Sequence, residues 1–131
     1  FQAVHDASLE TLVEGCRRIG LLKGATRKLI KTGAYKRYFM HRTSHWLGMD
    51  VHDAGSYREP DGSWRKLRPG MVLTVEPGLY IAADDRRAPA RFRGIGVRIE
   101  DDVLVTKGAP DVLSSGIPKE PEEVEALVGR G

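Results

Sequence analysis

The stretch Met71-Val-Leu-Thr-Val-Glu76-Pro-Gly-Leu-Tyr-Ile81 decides how this chain is read. Val72, Leu73, Thr74 and Val75 are β-prone and nearly all apolar, which predicts a strand buried on both faces. Period two puts Val72, Thr74 and Glu76 on the same side. A carboxylate at the end of a buried strand costs free energy unless something pairs with it. Glu76, followed by the chain-breaking Pro77-Gly78, is either placed for chemistry or is a strand-end group pointing into water.

The next strand signal is Gly94 to Thr106. Ile95, Val97 and Ile99 alternate with Gly96, Arg98 and Glu100. The aliphatic face is expected to pack inward. The other face presents room, a cation and an anion, which suggests close approach of something to it. The alternative is a solvent face with a weak cross-strand ion pair. After Asp101-Asp102, Val103 and Val105 continue as a strand. Ala82 to Arg93, charged and turn-rich, is expected to be an exposed excursion.

Upstream, Tyr38 to Asp53 holds three of the four histidines, His41, His45 and His52, with Asp50 and Asp53 among them. Histidine is the commonest neutral metal ligand and the usual proton carrier near neutral pH. One His with two Glu from different strands suits a divalent first-row ion such as Mn²⁺, Co²⁺ or Zn²⁺. These groups are expected to converge on one metal site, which is hydrolytic chemistry. Alternation over Tyr35 to His41 predicts a strand that His41 closes. A helical reading of His41 and His45 competes, but Arg42 stands where the metalloprotease helix needs Glu.

Further outward, Leu9, Leu12, Val13, Cys16 and Ile19 form one apolar stripe, predicting a helix over Gln2 to Leu22. Ala25 to Thr32 reads as a second helix stopped by Gly33. Glu59-Pro-Asp-Gly62 and Arg68-Pro-Gly70 read as turns, and Trp64 as a loop anchor. Pro121 to Val128 reads as a closing helix with Pro and acidic residues at its start.

At 131 residues, with 40% hydrophobic and 30% charged residues, the chain is expected to be a single globular domain over 1–131. No apolar run nears the ~20 residues that span a bilayer, and no secretory leader is visible. The first residue is Phe rather than Met, so the chain is expected either to begin inside a reading frame or to lack a few residues ahead of Phe1. Net charge is +3 with scattered basic residues, which disfavours nucleic-acid binding. The lone Cys16 excludes an internal disulfide and fits a reducing cytoplasm.

Three motifs carry a family resemblance: His41-x-Thr-Ser-His45-Trp-Leu-Gly-Met-Asp-Val-His52-Asp, Leu67-Arg-Pro-Gly-Met-Val-Leu-Thr-Val-Glu76-Pro-Gly, and Gly94-Ile-Gly-Val-Arg98-Ile-Glu100-Asp. Together they resemble aminopeptidase P (Xaa-Pro aminopeptidase) of the creatinase-like metallopeptidases. The resemblance covers the C-terminal half of that family's catalytic domain. It implies an α+β fold, half of a pita-bread: a bent antiparallel sheet with helices packed on one face. It implies two metal ions, usually manganese. His45 and Glu76 match metal ligands, and Glu100 matches the carboxylate that bridges both ions. His41 and His52 match histidines lining the substrate site, and Arg98 a residue that holds the site. The implied reaction removes an N-terminal residue that precedes proline.

Both aspartate ligands of that family belong to the other half, which would precede Phe1. Asp50 and Asp61 repeat the separation of the family pair, but Asp61 sits in a Pro-Asp-Gly turn and is not expected to substitute. The chain alone is therefore expected to hold at most one ion, weakly, and hydrolysis by it alone is not expected. Half a bent sheet leaves an edge and an apolar face seeking partners. A homodimer through that sheet surface is expected. Two alternatives stand beside this reading: a non-catalytic binding module, and the C-terminal part of a split enzyme.

Overall fold

Helix α1 (Gln2–Arg18) forms where the sequence repeats apolar residues at helical spacing, and it buries Leu9, Val13 and Cys16. The computed structural model describes residues 1–129. Ile19, expected on the stripe, is 40% exposed, because the helix stops at Arg18. Leu21 turns in instead, and the N–H groups of Leu21 and Leu22 both bond the Cys16 carbonyl, at 2.8 and 3.1 Å. Helix α2 (Thr26–Thr32) ends at Gly33, whose φ of 69° is left-handed and favours glycine. Leu29 packs with Leu9, Val13 and Phe39 in the cluster that joins the two helices.

The expected strand over Tyr35 to His41 is not formed. Ala34–Arg37 is a 3₁₀ turn, and the N–H groups of Tyr38 and Phe39 both reach back to the Tyr35 carbonyl. A strand would put Tyr38 and Phe39 on opposite faces, one toward solvent. Both are instead 2% exposed. Tyr38 enters a cluster with Cys16, Leu21, Ile81 and Ala88, while Phe39 enters the helix cluster. Burial of two adjacent rings in separate clusters overrides the alternation.

The sheet is built from β1 (Val72–Val75), β2 (Gly78–Tyr80), β3 (Gly96–Arg98), β4 (Asp101–Leu104) and β5 (Asp111–Val112), all antiparallel. One sheet has the order β1-β4-β5 and the other pairs β2 with β3. The two share a register. Val75 faces Asp101 on one side of the break and Gly78 faces Arg98 on the other. Continuing either ladder sets Glu76 opposite Glu100 and Pro77 opposite Ile99. The Ile99 N–H to Pro77 carbonyl contact, at 3.4 Å, spans the break. Pro77 has no N–H to give there, so the ladder is interrupted where the carboxylates sit.

Residues 43–47 run antiparallel along the free edge of β1. Trp46 bridges Leu73, Thr74 N–H bonds the His45 carbonyl at 3.0 Å, and Glu76 N–H bonds the Thr43 carbonyl at 2.8 Å. Beneath them Phe1 and Val4 of the α1 end pack on Trp46 and Leu73.

Two further expectations are corrected. Ile95, Val97 and Ile99 do not pack inward and are 45%, 52% and 46% exposed. The Cys16 end of α1 packs on Leu79 and Ile81 of the β2 side, and β3 lies at the edge with its aliphatic face open among the described residues. Residues 82–93 are not wholly an exposed excursion. Ala88 is 2% exposed in the core, and Asp85 takes both the Nε and Nη2 donors of Arg37. That guanidinium holds the Asp85 carboxyl below the usual carboxylate range.

The turns fall where expected: Gly62 N–H bonds the Glu59 carbonyl at 2.9 Å and Met71 N–H that of Arg68 at 3.1 Å. Helix α3 (Pro121–Val128) starts on its proline with Glu122 and Glu123 in the first turn. No helix among the described residues is long and apolar enough to cross a membrane.

Candidate metal centre

Residues facing each other across an antiparallel pair share a face of the sheet. The edge segment, β1 and the β3–β4 strand therefore present His45, Glu76 and Glu100 side by side. One donor atom from each lies within 4.8 Å of the others, and this is the group of three such residues found among the described residues. His45 and Glu76 are half-buried and Glu100 is exposed.

Partners at the strand end compensate the carboxylate of Glu76. The Thr74 hydroxyl donates to Oε1 at 3.2 Å and accepts the His45 backbone N–H at 3.1 Å. Arg98 Nη1 lies 3.7 Å from Oε2. Thr74 is wholly buried, so this hydroxyl has no competing water and fixes the spacing of the two donors. Sequence reasoning placed Thr74 on the face of Glu76 but gave it no role; the period-two spacing was the available signal.

His45 Nδ1 donates to the Trp46 carbonyl at 2.9 Å. That bond leaves the lone pair on Nε2, which sits 3.3 Å from Glu76 Oε1. Two acceptors this close repel unless a proton or a metal cation lies between them. A ring fixed through its other nitrogen by a carbonyl is the usual support of a metal-ligating histidine. The donor set of one imidazole and two carboxylates thus fits a divalent ion of the manganese, cobalt or zinc type.

The remaining sequence-derived candidates are placed as follows. The exposed His52 ring lies 4.3 Å, centroid to centroid, from that of His45. His41 does not close a strand. Its Nδ1–H donates to the Arg42 carbonyl at 2.7 Å, and its Nε2 accepts from the Tyr80 hydroxyl at 3.0 Å. Tyr80 lies on the same face as Glu76, four residues beyond it along the strand, opposite Gly96. A Cβ on Gly78 would stand 2.4 Å from the Tyr80 hydroxyl oxygen, so the phenol crosses Gly78 because no side chain is there. Arg98 opposes Gly78 and stays half-open to solvent.

Asp53 does not join the group; its Oδ1 accepts the Ala54 N–H at 2.9 Å. Asp61 likewise closes its own turn by accepting the Ser63 N–H at 2.8 Å. Asp50 is exposed and outside the group.

His5 was not singled out from sequence. It is buried on α1, with Nδ1 2.9 Å from the hydroxyl of Thr43, whose carbonyl receives the Glu76 N–H. Burial first, then Arg42, pushes its pKa down, which favours the neutral ring.

Comparison with known proteins follows the same lines. Residues 1–107 match the model of Metallopeptidase family M24. The chain is 52% identical over 117 residues to the Xaa-Pro aminopeptidase of Escherichia coli, covering 89% of this chain and 26% of that protein. It is 47% identical over 125 residues to Xaa-Pro aminopeptidase 1 of Streptomyces coelicolor, covering 95% and 26%. The solved structure of Pseudomonas aeruginosa aminopeptidase PepP superposes with a TM-score of 0.90 at 53% identity, covering 95% of this chain and 28% of that one. The chain therefore spans about a quarter of the length of these relatives and matches their C-terminal part. These likenesses bear out the α+β reading and the half pita-bread expectation.

Proposed function

The chain belongs to metallopeptidase family M24, and we propose that it supplies the His–Glu–Glu side of a divalent-metal centre that hydrolyses peptides with proline in second position. The observation that carries this reading is the shared rung of Glu76 and Glu100, with His45 beside it on the same face. His45, Glu76 and Glu100 would hold manganese, or cobalt or zinc by the same donor chemistry. A bound ion would supply Lewis acidity toward a peptide carbonyl and lower the pKa of water. A solved Escherichia coli aminopeptidase P is described as zinc-substituted with product, and another as bound to the inhibitor Pro-Leu.

The chain's own residues would do the rest. Thr74 and Arg98 hold the Glu76 carboxylate in place. Tyr80 and the Arg42 carbonyl fix the His41 ring from both nitrogens, so His41 lines the site in one orientation. His52, exposed beside His45, is free to donate to a peptide carbonyl as it approaches. A reducing compartment such as the cytoplasm suits the single buried Cys16.

With three donors in these residues, we assign the chain by itself at most one weakly held ion and no efficient turnover. Titrating the chain with Mn²⁺ and following free ion by electron paramagnetic resonance tests this. The expected result is one site in the range of about 10⁻⁵ to 10⁻³ M, weakened about tenfold or more in Glu76→Gln and in His45→Ala. Unchanged binding in both variants, or rapid cleavage of an Xaa-Pro peptide by the chain alone, would overturn it.

A second reading is favoured by the open aliphatic face of Ile95, Val97 and Ile99. Two copies would cover that face and the β3 edge by pairing about a two-fold axis, as a binding module or as a stand-in for the other part of a split enzyme. Sedimentation at micromolar concentrations tests it. Val97→Lys should leave stability within about 0.5 kcal/mol, since the residue is half-exposed, while converting dimer to monomer. A wild-type monomer at all concentrations would sink this second reading.

A further inference from the structure

Residues 48–53 form the loop that carries His52, and packing does not hold that loop in place. Every residue from Gly48 to His52 is exposed, Met49 fully and Val51 at 66%. The loop therefore has no apolar anchor of its own. His52 nonetheless stands with its ring 4.3 Å from that of His45, centroid to centroid. Something other than burial sets this spacing.

Three contacts meet at Asp53, the one half-buried residue between positions 48 and 56. Its N–H donates to the Trp46 carbonyl at 3.1 Å, and the same oxygen receives His45 Nδ1–H at 2.9 Å. A carbonyl oxygen has two lone pairs, so one atom fixes both the imidazole and the end of the loop. The Asp53 carboxylate then turns back across the start of the loop. A Cβ built on Gly48 would overlap Asp53 Oδ2 and stand 2.7 Å from its Cγ. Gly48 is not among the glycines with positive φ, so it is the seated carboxylate, not the backbone, that excludes a side chain there. The other carboxylate oxygen accepts the Ala54 N–H at 2.9 Å.

We propose that Asp53 is a positioning residue: its carboxylate, seated on Gly48, latches the loop and so places His52 beside His45. The inference deepens the proposed function, on which its meaning for catalysis rests. His52 can meet a peptide carbonyl only from a fixed place, and a misplacement of about 1 Å can cost about 100-fold in rate. Asp53 itself touches neither ion nor substrate and acts through the backbone it shares with His52.

The test reads ring proximity in the whole chain without metal. A nuclear Overhauser effect should connect the ring protons of His45 and His52. Asp53→Ala removes the latch, and Gly48→Ala unseats it with the carboxylate still present. Both should abolish the ring signal and speed exchange of the amide at position 53 about tenfold. The double variant should be no worse than either single one, since both break one contact. Asp53→Asn keeps the shape and the acceptor oxygen and should retain the signal. The Leu73, Thr74 and Glu76 amide resonances should stay in place in all four variants, whereas a general loosening of the fold would move them. Absence of Mn²⁺ binding by the wild-type chain would sink the proposed function alone and leave the ring signal to decide the latch. No ring signal in wild type, an undiminished signal in Asp53→Ala or Gly48→Ala, or a loss that comes only with shifts throughout β1 would overturn the proposal.

Discussion

Replacing Gly78 by alanine isolates one contact on the site's face. The added Cβ would lie 2.4 Å from the Tyr80 hydroxyl oxygen and 2.7 and 2.8 Å from two ring carbons. Gly78 is not one of the glycines with positive φ, so the backbone itself accepts alanine. The ring must therefore move, and its hydroxyl is held by His41 at 3.0 Å. Overpacking of this kind costs about 1–3 kcal/mol. Loss of the hydrogen bond adds about 1 kcal/mol. Reduced freedom of the unfolded chain returns about 0.4–1 kcal/mol. The net expectation is destabilisation of about 1–3.5 kcal/mol, read as a lower urea midpoint at unchanged m-value. The same substitution made in Tyr80→Ala should cost nothing or stabilise slightly, because the obstructing ring is gone. Equal costs in the two backgrounds, or a Gly78→Ala effect within about 0.5 kcal/mol, would refute the crossing of ring over glycine.

Leu73 is 1% exposed against Phe1 and Trp46, so Leu73→Ala should destabilise by about 3 kcal/mol, measurable through Trp46 fluorescence in urea. Arg37 depresses the Asp85 carboxyl, so their pairing stabilises fully above the ordinary carboxylate pKa and fades as pH falls through it toward the depressed value. Asp85→Asn should accordingly lower the urea midpoint most near about pH 6, with the gap to wild type closing below about pH 4; a gap constant with pH would contradict it.

How much of this was visible in the sequence differs element by element. Glu76 and Glu100 stood out because a charge ending or interrupting an apolar run is improbable without a partner, and the fold brings both to one rung. The stretch around Tyr38 and Phe39 misled, since alternation of aromatic residues looks the same whether a strand or a tight turn buries them. For Ile95, Val97 and Ile99 the periodicity correctly separates two faces, but it carries no information on what covers either. Arg37 and Asp85 are 48 residues apart and meet only through the tertiary fold, which no local pattern encodes. The same holds for His5, whose partner Thr43 lies 38 residues away.

The common register on both sides of the Pro77 break has a consequence for how this sequence can vary in length. The carboxylates are aligned by counting residues outward from the strand pairing, so one residue added between Val75 and Gly78 turns every later side chain of that strand over. Extra residues among positions 82–87 would instead fall at the tip of the hairpin, where they disturb the Arg37–Asp85 pair but leave the alignment behind it untouched. Insertions and deletions in homologous chains should therefore collect at that tip and avoid the break.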